Sequence, residues 1–215
     1  MTARLRRDYR RRRPSKDPEP AILVVTEGKK TEPEYLGSLR RRLHLATAAV
    51  VVCPADGTDP GSIVDCAISI RKQRRDEAGQ GDVVEYSETW IVFDSEQRLG
   101  TPALSNALTK ALQQGLRVAL SAPCFEYWLV LHFEYTTSLM YTCREVERRL
   151  KRHIPDYDKS SPPMAVLIPK VAIAVGHAEK CRIEQEKADA PLPRTGVDQL
   201  VRAMNDAARE HYRLL

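Results

Sequence analysis

Four short aliphatic runs, Ala21–Thr26, Ala48–Cys53, Thr89–Phe93 and Leu116–Leu120, alternate with stretches carrying helix punctuation, and this alternation constrains the fold more than any other feature. A continuous run such as Ala21-Ile-Leu-Val-Val-Thr26 buries both faces, as a parallel strand does when helices cover its sheet on either side. Asp59-Pro60 and Thr101-Pro102 have the N-cap and first-turn pattern of helix starts; the helices they open are expected to end near Ala78 and at Gly115. Thr31-Glu-Pro-Glu34 reads as a capping box with Thr31 as N-cap, opening a helix to about Leu45. The order βαβαβαβ predicts an α/β fold, a Rossmannoid parallel sheet joined by right-handed crossovers and flanked by helices.

Beyond residue 121 the strand signal stops, and helices are expected over 124–133, 143–153, 166–188 and 196–214. Pro155 to Pro163, with Asp156-Tyr-Asp-Lys159 and adjacent prolines, reads as a loop of the kind that carries function. The expected organisation is a basic arm and linker over 1–20, a catalytic core over 21–135 and a helical C-terminal part over 136–215 packed on the core.

The net charge of +5 is unevenly spread. Residues 1–17 hold eight basic side chains, Arg10, Arg11, Arg12 and Arg13 among them, against Asp8 and Asp17, so the remainder sums to about −1. Such an arm suits nucleic-acid phosphates through counterion release; its bland alternative is a solubilising leader. Five scattered cysteines without a C-x-x-C spacing argue against a disulfide framework and a zinc site, and fit a reducing compartment. No apolar run approaches the roughly 18–20 residues of a membrane helix, and the N-terminus lacks the apolar stretch of a signal peptide, so a cytoplasmic protein without membrane attachment is expected.

Chemistry is expected at the strand ends, where open parallel sheets bind ligands. Glu27 follows the first strand, Asp94 and Glu96 follow the third, and Glu126 follows the fourth within an otherwise apolar segment that makes an unpaired carboxylate costly. Carboxylates converging there suit a divalent cation, which neutralises phosphoryl oxygens and lowers the pKa of an attacking water. The competing assignments are a turn cap for Asp94, solvent for Glu96 and a helix cap for Glu126. Gly28-Lys29-Lys30-Thr31 resembles a phosphate-binding loop superficially, but the glycine that loop needs four residues earlier is replaced by Leu23 or Val24 inside the strand. Lys29 and Lys30 remain candidate phosphate contacts. Phe125, Trp128, Leu129, Leu131 and Phe133 read as core, and His132 as a packed or hydrogen-bonded core residue.

Val24-Val-Thr-Glu-Gly-Lys-Lys-Thr-Glu-Pro-Glu-Tyr-Leu36, Gly57-Thr-Asp-Pro60, Val92-Phe-Asp-Ser-Glu96 and Pro123-Cys-Phe-Glu-Tyr-Trp-Leu-Val-Leu-His-Phe133 together resemble the RloB family over residues 21–135. The resemblance implies a Toprim-like catalytic fold, a Mg²⁺- or Mn²⁺-dependent nuclease activity, a role in phage defence and an AAA or ABC-type ATPase partner. It implies Glu27 as general acid or base and metal ligand, Asp94 with Glu96 as the metal pair, Glu126 as a further site acid, and Lys159 as the cation that stabilises transition-state charge, with Lys170 as its rival. Glu96 departs from the Asp-x-Asp pattern by one methylene. Two other readings stay open: an inactive nucleic-acid-binding or partner-tethering module, and strand transfer through a tyrosine, for which none of the eight tyrosines is marked. DNA against RNA and the existence of a homo-oligomer are also open.

Overall fold

The computed structural model describes residues 21–47, 49–55, 59–81, 83–96, 98–188 and 193–215. The basic arm with Arg10, Arg11, Arg12 and Arg13, and the Gly57-Thr58 part of the second resemblance segment, lie outside the described residues.

The chain runs β1 (Ala21–Thr26), α1 (Thr31–Arg42), β2 (Val50–Pro54), α2 (Pro60–Gly79), β3 (Tyr86–Asp94), α3 (Pro102–Gln113) and β4 (Arg117–Ala122). There follow α4 (Glu126–Val130), α5 (Cys143–Leu150), α6 (Met164–Leu167), a 3₁₀ turn (Ile168–Lys170), α7 (Val171–Ala188), β5 (Arg194–Thr195), α8 (Val197–Ala207) and a second 3₁₀ turn (Glu210–Tyr212). The sheet order is β2-β1-β3-β4-β5, parallel except for β5. The α/β expectation therefore holds. No helix among the described residues is long and apolar enough to cross a membrane.

The aliphatic run of β1 divides its side chains by the two-residue period of a strand. Ile22 and Val24 join Trp90, Val92 and Ala119 in a core closed by α1, α4, α5, α7 and α8, while Leu23 and Val25 join Ile91 and Phe93 under α2 and α3. Because α1 covers one face and α2 and α3 the other, the winding reverses between β1 and β3, and the crevice at such a switch point is where open α/β sheets bind ligands.

Asp59 and Thr101 cap α2 and α3 as their sequences indicate. Four other expectations are corrected. The Thr31–Glu34 capping box does not form: α1 begins at Thr31 itself, Lys30 occupies the N-cap position without a side-chain bond, and the Thr31 hydroxyl donates to the Lys159 carbonyl at 3.0 Å. A capping box exists instead at Thr142 and Glu145, opening α5. The stretch 124–133 holds only five α-helical residues, because tight i→i−3 bonds to Cys124 and Phe125 precede them and bonds to Leu129 and Val130 follow. Finally, the strand signal does not stop at residue 121. Arg194–Thr195 pairs antiparallel with Ser121 and Ala122, too short and too polar to read as a strand, and it puts the C-terminal segment on the sheet edge. Pro169 divides the expected 166–188 helix, since it lacks the N–H an uninterrupted helix requires. In α7 and α8, Val171, Ala174, Val175 and Ala178 face Val197, Leu200, Val201 and Met204 in the same core, and a bidentate Arg182–Asp198 pair at 3.0 and 2.8 Å ties the two helices.

Candidate active site

Glu27 extends β1 by one residue: its N–H donates to the Val92 carbonyl at 2.9 Å, which carries it alongside the end of β3. Its Oε2 accepts the Asp94 N–H at 3.1 Å. Arg98, on the turn after β3, reaches both Glu27 carboxylate oxygens through Nη2, at 2.9 and 3.0 Å, and donates to the Asp94 carbonyl at 2.6 Å.

Asp94, Glu126 and Lys159 share a cleft of about 350 Å³ with Glu32, walled by the Gly28–Thr31 loop and Phe125. Asp94 closes β3; its Oδ1 is inaccessible to solvent and has no hydrogen-bond partner among the described residues. Burial, then the charges of Glu32 and Glu126, push its carboxyl well above the usual aspartate range. Glu32 is also raised, by burial first and then by Glu126 and Glu27, against backbone hydrogen bonds that oppose the shift. A Cβ on Gly28 would overlap the Glu32 carboxylate, so glycine there lets that carboxylate lie against the loop backbone.

Glu126 is 3% exposed, and its Oε1 accepts from the Tyr157 hydroxyl at 3.1 Å and pairs with Lys159 Nζ at 3.3 Å. Lys159 also pairs with Glu147 at 2.8 Å. Burial pulls the Lys159 ammonium down, but Glu147 and Glu126 outweigh it and hold it above the usual lysine value. The 155–163 loop therefore does reach the cleft, anchored by the Thr31–Lys159 bond.

Lys29 and Lys30 are exposed members of the cleft wall. Glu96 is not brought in. It takes a left-handed conformation, φ 43°, just past the strand, is exposed, and lines a separate cleft of about 190 Å³ with Tyr141, Thr142 and Cys143. Lys170 lies over the Phe133 ring at 5.7 Å and does not line the acidic cleft. His132 is buried as its surroundings indicate: Nδ1 faces the Trp128 carbonyl at 2.9 Å and must donate, so Nε2 accepts from the Tyr35 hydroxyl at 2.9 Å.

Glu32 and Arg98 were missed by sequence reasoning. The signal for Glu32 was present, since Glu32, Tyr35, Leu36 and Leu39 recur with the period of one buried helix face while Glu34 points outward. Arg98 had no such signal; only the fold of the turn after β3 aims it at Glu27.

Among the described residues no three His, Cys, Asp or Glu side chains are gathered closely enough to grip a metal ion as they stand. The donor chemistry nevertheless fits one. Several carboxylates, two pushed toward protonation and one with an orphaned buried oxygen, present an all-oxygen set of the sort that hard divalent cations neutralise.

The model of the RloB-like protein family matches residues 22–204. No curated protein and no solved structure matches the chain. A match over that span, which contains all of the sheet but its first residue, Ala21, and every acid of the cleft, shows that the chain belongs to the RloB-like protein family.

Proposed function

We propose that this chain is a Toprim-like, metal-dependent nuclease that hydrolyses phosphodiester bonds in its acidic cleft. The observation that carries the reading is the crowding of Asp94, Glu32 and Glu126 around one cleft with Lys159 as the cation beside them. Such crowding costs stability in a protein without a ligand and is retained where the charges are used.

Asp94, with Glu32 and Glu126, would hold Mg²⁺ or Mn²⁺, which when bound supplies Lewis-acid neutralisation and an activated water. Glu27, clamped by Arg98, stands behind Asp94 and keeps that strand end in place, and it is the group suited to proton relay. Lys159 places a positive charge where a phosphoryl group gains negative charge. Lys29 and Lys30 meet the phosphate backbone at the cleft wall. From the resemblance we add a defence role and an AAA or ABC-type ATPase partner to the proposal, with the partner acting on a nuclease that is otherwise held in check.

The test incubates purified protein, with and without an ATPase encoded beside it, with plasmid, single-stranded DNA and tRNA in Mg²⁺, Mn²⁺ or chelator. Cleavage that chelator stops and Asp94→Ala reduces at least ~100-fold is expected. Cleavage that survives Asp94→Ala while chelator still stops the wild type moves the metal elsewhere; no cleavage on any substrate with the ATPase present overturns the enzymatic reading.

A further inference from the structure

Helix α5 forms one side of the neighbourhood of the acidic cleft, and its charges are unevenly satisfied. Its buried face is Val146 and Leu150, and Glu147 turns toward the cleft to pair with Lys159. Glu145 is occupied by the backbone N–H groups of Tyr141 and Thr142, at 2.7 and 3.1 Å, and Arg149 by Glu134 at 2.7 Å. What remains is Arg144, Arg148, Lys151 and Arg152, all exposed and none with a side-chain hydrogen bond or ion pair among the described residues.

Their spacing of i, i+4, i+7 and i+8 puts them on one stripe of the helix and its closing turn, about 12 Å long. The stripe runs beside the cleft, because Glu147 on the same helix pairs with Lys159, a residue of the cleft lining, at 2.8 Å. At the other end of α5 stands Tyr141. Its backbone is pinned by Glu145, but its side chain is exposed, makes no ring contact among the described residues, and borders the small cleft that Glu96 and Cys143 share.

A row of exposed cations outside any salt bridge among the described residues, leading from the cleft proposed to cut phosphodiesters and ending at an anchored and exposed aromatic ring, is the composition of a single-strand track. Cations follow the backbone, and the ring offers a stacking face that only an unpaired base presents. Duplex nucleic acid hides those faces in its own stack.

We propose that single-stranded nucleic acid, or the single-stranded loop of a folded RNA, runs from the acidic cleft along Arg144, Arg148, Lys151 and Arg152 with one base stacked on Tyr141. This rests on the nuclease reading of the cleft, and its test is separable from catalysis. Full-length protein carrying Asp94→Asn is titrated, in chelator, against fluorescent single-stranded DNA, single-stranded RNA, the matching duplex and a strand with an abasic run, and anisotropy is followed at several salt concentrations. Single strands bind more tightly than the duplex. Arg144→Glu/Arg148→Glu/Arg152→Glu lowers the log-log salt slope by about 2, at ~0.7 per lost contact. Tyr141→Ala weakens binding of the base-bearing strand about fivefold or more, spares the abasic strand, and is rescued by Tyr141→Phe. A salt slope unchanged in the arginine variant overturns the track, and equal losses on abasic and base-bearing strands overturn the stacking role. Duplex bound as tightly as single strands, or no oligonucleotide bound at all, overturns the proposal, the second result giving the stripe to an acidic protein surface. Binding as described in a protein whose wild type never cuts defeats the enzymatic reading and leaves the track standing.

Discussion

Arg98 and Glu27, 71 residues apart in sequence and on opposite sides of the β1–β3 switch point, are joined by one guanidinium nitrogen that touches both carboxylate oxygens and the backbone of Asp94 as well. Both side chains are largely sheltered, 24% and 14% exposed. The pair therefore sets the spacing of two strand ends. It also means that both oxygens of the Glu27 carboxylate are held by a cation.

Arg98→Ala removes that clamp and leaves Glu27 beside Asp94 with its charge uncompensated. For a pair between surface and full burial we expect a loss of about 2 kcal/mol and a cleavage rate at least ~10-fold lower. Urea denaturation of Arg98→Ala, Glu27→Gln and the double variant checks this: the double variant should lose less than the sum of the two, and strict additivity would mean the pair carries no coupling.

Asp94 destabilises the metal-free protein. Its carboxyl pKa is raised by burial and by Glu32 and Glu126, so its contribution to stability is present below the unfolded value and is lost as pH rises through the folded one. Near neutral pH in chelator, Asp94→Asn should melt higher, with a shift of about 2–4 °C for each kcal/mol relieved in a chain of this size. Mg²⁺ or Mn²⁺ should raise the wild-type melting temperature, by about 2.7 kcal/mol of stabilisation at 100 times the dissociation constant, and leave the variant unmoved. Thermal melts with and without metal decide it; an equal metal response in both proteins removes Asp94 from the ligand set.

His132 makes the fold acid-sensitive through a different sign. Burial lowers its pKa to about 4, so the unfolded chain binds the proton first and stability falls as pH drops from about 6.5 toward 4. The loss attributable to this residue is about 3 kcal/mol across that window. Because Asp94 and Glu32 titrate in the opposite sense, the quantity to measure is the difference between wild type and His132→Gln in denaturant midpoint from pH 7.5 to 4.5. A difference that does not change with pH would mean that His132 is charged in the folded protein.

Lys159 has two duties that substitution separates. As counter-ion it pairs with Glu126 and Glu147; in the proposed reaction it is the cation that meets the phosphate. Lys159→Met should lower cleavage roughly 100-fold or more, as losing one preorganised charge partner does, and lower the melting temperature modestly because Glu126 keeps only the Tyr157 hydroxyl. Melting affected without loss of cleavage would confine Lys159 to the structural duty.

The α/β class was legible in the sequence because aliphatic runs buried on both faces and proline-marked helix starts are local signals, read from a handful of adjacent residues such as Val24-Val25 or Asp59-Pro60. Glu27, Asp94 and Glu126 were legible for the same reason, each standing at the end of a run whose direction was known. Tertiary structure alone decided which acids meet. Asp94 and Glu96 lie two residues apart, yet a left-handed turn at Glu96 sends it to another cleft, while Glu32 and Lys159, distant in sequence, are brought to Asp94 by the packing of α1 and by the Thr31 bond to the 155–163 loop. β5 likewise exists only because β4 offers an edge; two residues, one of them the β-branched Thr195, are too few to mark a strand by themselves. Periodicity specifies which face of an element is buried, but the partner across that face is chosen by contacts between residues far apart in the chain, and no local pattern encodes those contacts.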